Sequence, residues 1–206
     1  MIISHEHPEY KKIEWKNAGA YWYSYEIVKN IIPRVATDRN WMTINIPYVG
    51  VDHSIVFIHN NLHFDQYEWL KDYNDLVLVC SQPGTYEEMK KYGWSVLLPL
   101  SIDVDYVKKF KQIARDIERA YVGRKEKLKV ELPDDTVFIS DIPRENLLSE
   151  MGRCEKVYAV GRCAIEAKVL GVKVLPYDIR YPDPDCWQIW DNKEAAKALQ
   201  KILDMI

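Results

Sequence analysis

The chain has 206 residues, 48% of them hydrophobic, so it is long enough to bury one or two cores. Its formal net charge of -3 argues against a general attraction to nucleic acid or anionic membranes, and no apolar run reaches transmembrane length. The N-terminus lacks the pattern of a signal peptide, and the 4 cysteines show no CxxC spacing. These features predict a cytoplasmic protein with reduced thiols and no integral membrane segment.

The first half of the chain alternates between helical patterns and short apolar runs typical of buried strands. A helix is predicted over AGAYWYSYEIVKNIIPRV, where apolar residues recur at helical spacing until Pro33 ends the pattern. The predicted strands of this half are MIIS, WMTINIPYV, HSIVFIHNN, DLVLVCS and SVLLPLSID, and shorter helices are predicted at FDQYEWLKDY and QPGTYEEMKKYG.

A basic segment separates the two halves. Between Val107 and Lys129, nine lysines and arginines outnumber three acidic residues. Most of these cations are expected on a solvated surface, and nucleic-acid binding through this segment is the weaker alternative. The stretch FKQIARDIERA is predicted to be helical, and the connecting helix is assigned to residues 106–118.

The second half resumes the alternation. Its predicted strands are YVG, DTVFISDIP, KVYAVG and VKVLPYD, and its predicted helices are RENLLSEMGRC, RCAIEAKVLG and NKEAAKALQKILDMI. The whole pattern predicts an α/β fold with parallel sheets, organised as two Rossmann-like domains at 1–105 and 119–206 joined by the 106–118 helix. Ligands of such sheets bind in the loops that follow the carboxyl ends of the strands.

Two of these loops combine glycine with positive charge. In YVGRKEK, Gly123 allows a ligand to approach the backbone, and the cations Arg124 and Lys127 suit a diphosphate. In VGRCAIEA, Gly161 precedes a predicted helix whose free N–H groups suit an anion.

The helix of the second loop carries Arg162 and Glu166 four residues apart, on one face. The carboxylate is suited to accept hydrogen bonds from both hydroxyls of a ribose. The alternative is an ion pair between the two side chains, worth about 0.3–0.5 kcal/mol on an exposed helix.

These motifs, in this order, resemble the GT-B glycosyltransferases over about the whole chain. The segments VGRKEK, VFISDIPRENLLSEM and VYAVGRCAIEAKVLGVKVL are similar to the donor-binding half of that family, and SIVFIHNN, DLVLVCSQPGTYEEMKKYG and VLLPLSIDVDYVKKF to the acceptor-side half. The resemblance implies two domains that face each other across a cleft and a UDP- or GDP-type nucleotide sugar as donor, with no bound metal.

The resemblance also implies roles for individual residues. Arg124 and Lys127 would contact the donor diphosphate, and Glu166 would bind the ribose or the sugar. Gly161 and Arg162 would shape the phosphate end of the pocket. From the first half, Ser81 and Gln82 would face the cleft.

An inverting transfer needs a base for the acceptor's proton. His59 follows a buried apolar run and is the first candidate, with Asp52 as the second; Asp65 and Glu6 are rivals. His59 and His63 lack an evident third ligand, so no metal site is predicted. Cys163 lies near a helix N-terminus, which can depress a thiol pKa, but no partner base is evident for it.

The sequence therefore predicts a glycosyltransferase that moves a sugar from a nucleotide to a glycan, protein or nucleic-acid acceptor. The family pattern has the first of two glutamates at about Tyr158 and Ala159, and neither position is acidic here. This favours an alternative: a non-catalytic nucleotide-binding, glycan-binding or protein-interaction module of the same fold. The aromatic cluster AYWYSY, with Trp15, Trp41 and Trp69, offers either core packing or a homodimer surface.

Overall fold

The computed structural model of this chain describes residues 2–3, 19–43, 51–58 and 64–206. The chain divides into two compact units, Met1–Leu100 with Asn192–Ile206, and Ser101–Asp191. Each unit is built around a parallel sheet, so the predicted α/β class and the two parallel sheets are confirmed.

The first unit contains a five-stranded parallel sheet whose strands follow one another in chain order. Its strands are β1 (Ile2–Ile3), β2 (Asn40–Met42), β3 (Ser54–Ile58), β4 (Leu76–Cys80) and β5 (Trp94–Leu97). Every residue of β3 and β4 is buried, as expected for short apolar runs that are covered on both faces.

Helical segments of the first unit cover both faces of its sheet. They are α1 (Gly19–Glu26), which continues as a π-helix (Ile27–Ile31) and a 3-10 turn (Ile32–Arg34), the 3-10 segment Phe64–Asp72, and α2 (Pro83–Met89). On one face the ring of Phe57 lies 6.4 Å from that of Tyr23 in α1. On the other face Val56 and Leu78 belong to a buried cluster that includes Met89 of α2.

The last helix of the chain, α6 (Asn192–Leu203), returns to the first unit and packs against the π-helix. Its first residue donates from Asn192 Nδ2 to the buried Glu26 carboxylate at 2.6 Å, and Asn30 donates to the same oxygen at 2.7 Å. The Glu26 carboxylate therefore links the last helix of the chain to the helical segment near its beginning.

The second unit contains a four-stranded parallel sheet in which the strand order reverses. Its strands are β6 (Ile117–Val122), β7 (Val137–Ile139), β8 (Cys154–Tyr158) and β9 (Lys173–Leu175), arranged in the order β7-β6-β8-β9. Its helices are α3 (Val104–Lys108), α4 (Arg144–Gly152) and α5 (Arg162–Val169), with short 3-10 turns at Lys125–Lys127 and Pro184–Cys186.

The connecting helix predicted over 106–118 is wrong. Helix α3 ends at Lys108, an irregular segment follows, and β6 begins at Ile117. The amino half of β6 is partly exposed, and Arg119 pairs there with the Glu118 and Asp135 carboxylates. Because this end of the strand is polar, its sequence lacks the apolar alternation that would distinguish a strand from a charged helix.

Within the part of the chain that the structure describes, no helix is both long and apolar enough to cross a membrane.

Candidate functional site

The two sheets differ in the feature that usually locates a ligand site. Ligands of open α/β sheets bind at the carboxyl ends of the strands where the strand order reverses. The described strands of the first sheet show no reversal, whereas the second sheet reverses between β6 and β8. Tyr121 of β6 and Tyr158 of β8 are direct partners, so the loops that follow these strands begin side by side.

This edge of the second unit brings together most of the residues predicted to bind a donor. The loop after β6 contains Gly123 and Arg124, and the loop after β8 leads through Gly161 into α5 with Arg162 and Glu166. Lys127 lies in the 3-10 turn that follows β6, but its side chain is outside the described part of the chain.

The loop after β6 is closely packed against a tyrosine. The Tyr121 hydroxyl donates to the main-chain oxygen of Arg124 at 3.1 Å. A side chain at Gly123 would place its Cβ 3.0 Å from that hydroxyl, so glycine is what permits the approach. The side chain of Arg124 is 48% exposed, and its Nε lies 3.3 Å from the Glu126 carboxylate. Arg124 is therefore a surface cation next to the strand ends.

The loop after β8 turns sharply into α5. Gly161 adopts φ 58° and ψ -130°, a conformation that other residues rarely adopt, while the space around its Cβ position is open. Glycine is therefore required at position 161 by the backbone conformation and not by a lack of space for a side chain. Helix α5 begins with the next residue, at the carboxyl edge of the sheet, and the positive end of a helix dipole favours anions there.

Glu166 is buried between two arginines. Arg144 Nη2 and Arg162 Nε each donate to Glu166 Oε1 at 2.6 Å. The exposed fractions of the three side chains are 1% for Glu166, 7% for Arg144 and 12% for Arg162. Burial alone would raise the pKa of Glu166, but the charges of Arg162 and Arg144 outweigh it and lower that pKa, so the carboxylate is ionised at neutral pH.

This arrangement changes the role of Glu166. A carboxylate with 1% exposure does not reach a ribose hydroxyl, and the ion pair with Arg162 that the helical spacing offered as the alternative is present. The second arginine makes it a buried triad with a net formal charge of +1. Glu166 Oε2 is buried and has no hydrogen-bond partner in the described part of the chain. The triad thus fixes two guanidiniums near the α5 N-terminus.

Arg144 was missed by sequence reasoning, because it lies 22 residues from Glu166 and such pairs leave no periodic signal. A cluster of tyrosines was also missed. The ring of Tyr177 lies 5.7 Å from that of Tyr121, 6.0 Å from that of Tyr158 and 5.9 Å from that of Tyr181. A signal existed, since a tyrosine lies within two residues of the carboxyl end of β6, β8 and β9.

The site residues predicted from the first half of the chain do not all lie at the same edge of the first sheet. Ser81 directly follows β4 at the carboxyl edge of the first sheet, and its buried hydroxyl has no hydrogen-bond partner among the described residues. Gln82 is the N-cap residue of α2, without a side-chain capping bond.

Asp52 precedes β3 and therefore lies at the amino edge, where its Oδ1 accepts the Asn74 N–H at 2.7 Å. A strand of this length separates the two edges by about 16 Å, so Asp52 does not serve the same site as Ser81. His59, the other predicted base, lies outside the described residues, as do His63 and Glu6.

The site offers no thiol nucleophile at Cys163, because burial raises the pKa of this thiol to about 12. Among the residues that the structure describes, no group of three or more histidine, cysteine or acidic side chains is arranged to hold a metal ion.

Comparisons with known proteins add no identification: no protein-family model, no curated protein and no solved structure matches this chain.

Proposed function

We propose that the chain is a metal-independent glycosyltransferase that binds a UDP- or GDP-type nucleotide sugar at the carboxyl edge of the second sheet. The observation that carries this proposal is the reversal of strand order between β6 and β8, which sets the loops of Gly123 and Gly161 beside each other. Both loops continue into an arginine.

The diphosphate of the donor is proposed to lie between these two loops. Arg124 is exposed enough to contact a phosphate, and the N-terminus of α5 supplies N–H donors. The guanidiniums of Arg144 and Arg162 add positive charge that the triad holds in place before any ligand arrives. Positive charge that is already in place near the leaving group lowers the activation barrier, because the protein does not have to rearrange during the reaction.

In the proposed reaction, the bond between the anomeric carbon and the phosphate oxygen breaks, and the nucleoside diphosphate leaves with both electrons of that bond. The acceptor oxygen forms the new bond to the anomeric carbon and releases its proton to a base. His59 remains the sequence-based candidate for this base. Glu166 acts in this scheme as a positioning residue for two arginines and not as a ligand of the sugar.

A non-catalytic nucleotide-binding module is the second candidate. It is favoured by the burial of Glu166, because the carboxylate that the sequence assigned to the sugar is already occupied by two arginines. Both candidates require nucleotide binding and differ only in turnover.

A thermal-shift panel of UDP, GDP, their sugars and adenine nucleotides tests the binding that both candidates share. Under the proposal, a uridine or guanosine diphosphate or its sugar stabilises the protein, and incubation releases free nucleoside diphosphate. Arg124→Ala is expected to weaken binding about tenfold to a hundredfold, the effect of losing one hydrogen bond to a charged group. Lys129→Ala, which removes an exposed cation further along the same segment, is the control and should bind normally.

Stabilisation without release of nucleoside diphosphate, in the presence of varied acceptors, would select the non-catalytic module. A panel with no stabilisation by any nucleotide would contradict both.

A further inference from the structure

A pocket of about 420 Å³ lies next to the loop that leads into α5. Its walls come from the end of the β8 loop and from the segment that follows β9, and they include Ala159, Val160, Tyr177, Asp178, Tyr181 and Pro184. The volume falls within the range of small-molecule sites in proteins. Because Val160 directly precedes Gly161, the pocket adjoins the proposed phosphate site.

The pocket wall contains two aromatic rings that are fixed by their neighbours. Tyr177 packs edge-on against Tyr121 and Tyr158, and its ring planes meet theirs at 85° and 72°. Tyr181 lies 5.9 Å from Tyr177 with a 38° tilt, and the Arg180 guanidinium lies 5.8 Å from the centre of the Tyr181 ring. Proline residues 176, 182 and 184 also line the pocket.

The acidic side chain in the middle of this segment is already neutralised. Asp178 Oδ1 accepts from Arg180 Nε at 2.9 Å and from the Arg180 main-chain N–H at 3.0 Å, and its side chain is only 2% exposed. Asp183 Oδ1, on the rim, accepts the Asp185 N–H at 2.9 Å. The Asp178 carboxylate is therefore not open to the hydroxyl groups of a sugar, whereas the rings of Tyr177 and Tyr181 offer a surface on which a planar group can stack.

We propose that this pocket receives the planar base of the nucleotide, with the phosphates directed to Gly161 and Arg162; this inference rests on the proposed function. The base stacks on the pocket side of the Tyr177 and Tyr181 rings and not between them. A ring held between two others needs centroids about 7 Å apart, twice the contact distance of 3.5 Å, and these centroids are 5.9 Å apart.

Calorimetric titration with three probes separates the base from the phosphates. UDP and GDP report on both parts, and inorganic pyrophosphate reports on the phosphate site alone. Tyr181→Leu is expected to weaken UDP or GDP binding about tenfold or more, the usual effect of removing an aromatic ring under a base, and to leave pyrophosphate binding unchanged. Tyr181→Phe keeps the ring and should bind like the wild type.

Each other outcome overturns the inference in a different way. Unchanged nucleotide binding by Tyr181→Leu would reject the base pocket and leave the proposed function standing. An equal loss for nucleotide and pyrophosphate would show that Tyr181 supports the phosphate site instead. A wild-type protein that binds no nucleotide would reject the proposed function and this inference together.

A measurement on the wild-type protein covers the case in which Tyr181→Leu does not fold. Saturation with UDP or GDP should shift the ring-proton NMR signals of Tyr177 and Tyr181 upfield through the ring current of the base. Ribose 5-phosphate, which has no base, should leave them in place. Unshifted tyrosine signals at saturating nucleotide would overturn the inference.

Discussion

Replacement of Glu166 by glutamine removes the carboxylate charge that both Arg144 and Arg162 contact in the second unit. Glutamine keeps the shape of the side chain but leaves two largely buried guanidiniums, with exposed fractions of 7% and 12%, without their shared counter-charge. Removing one partner from a buried ion pair costs about 3–5 kcal/mol, against 0.2–1 kcal/mol for exposed pairs, so we expect the free energy of unfolding to fall by ~3–5 kcal/mol.

The pH dependence of this loss follows from the pKa of Glu166. The charges of the two arginines outweigh burial and hold this pKa below the ordinary glutamate value of 4.5. A depressed carboxylate pKa stabilises the folded state above 4.5, and that stabilisation disappears as the pH falls through the folded-state value. The difference between wild type and Glu166→Gln should therefore be complete at pH 7 and shrink in acid.

Urea unfolding followed by circular dichroism measures this difference. Glu87→Gln, which breaks an exposed pair with Lys90 at 2.9 Å, is the matched control and should cost less than about 1 kcal/mol. Arg144→Met, Arg162→Met and Glu166→Leu combined should recover part of the loss, because no unpaired charge remains buried. A Glu166→Gln loss no larger than that of Glu87→Gln would refute the buried triad.

Two further changes test other parts of the structure. The hydrogen bonds that the His53 ring donates to the Asp75 and Asp38 carboxylates raise the pKa of His53. Its stabilising contribution is therefore complete below pH 6.5 and is lost as the pH rises through the raised pKa. The urea midpoints of His53→Gln and wild type should converge between pH 5.5 and pH 9, and divergence would contradict this. Gly152→Ala should lower the free energy of unfolding by about 1–3 kcal/mol, because the new Cβ would lie 2.3 Å from a main-chain oxygen. Gly84→Ala is the control: the space around its Cβ position is open, so in the same urea assay it should be neutral or stabilise the protein by up to ~1 kcal/mol.

The sequence predicted best where burial is complete along a strand. IVFI in β3 and LVLVC in β4 are uniformly apolar because both faces of these strands are covered, and such runs can be recognised without knowledge of their neighbours. Helix α5 was also predicted correctly, because Ile165 and Val169 are four residues apart and the pattern is bounded by Gly161 and Gly171.

The helix predicted at 106–118 was wrong because the structure of this segment depends on residues that are distant in sequence. Strand β6 is held by pairing with β7 and β8, whose residues are distant in sequence, and its amino half carries charges that the local pattern assigns to a solvated helix. Tertiary pairing overrides local preference there.

The order of the strands within each sheet could not be predicted from the sequence. The two halves look alike in composition, yet of the two described sheets the second is the one that reverses its order and so has a switch point. The loops of Gly123 and Gly161 could be selected from the sequence because glycine and arginine follow a strand in each. The contact of Glu166 with Arg144 could not, since it depends on how α4 and α5 pack.

We propose that the carboxyl edge of the second sheet binds a nucleoside diphosphate. Calorimetric titration of the intact chain with UDP and GDP tests it most directly, with Arg124→Ala and Lys129→Ala titrated in parallel. We expect saturable binding of at least one of the two nucleotides, with affinity weakened about tenfold or more in Arg124→Ala and unchanged in Lys129→Ala. Absence of binding to either nucleotide, or equal affinity in wild type and Arg124→Ala, would contradict it.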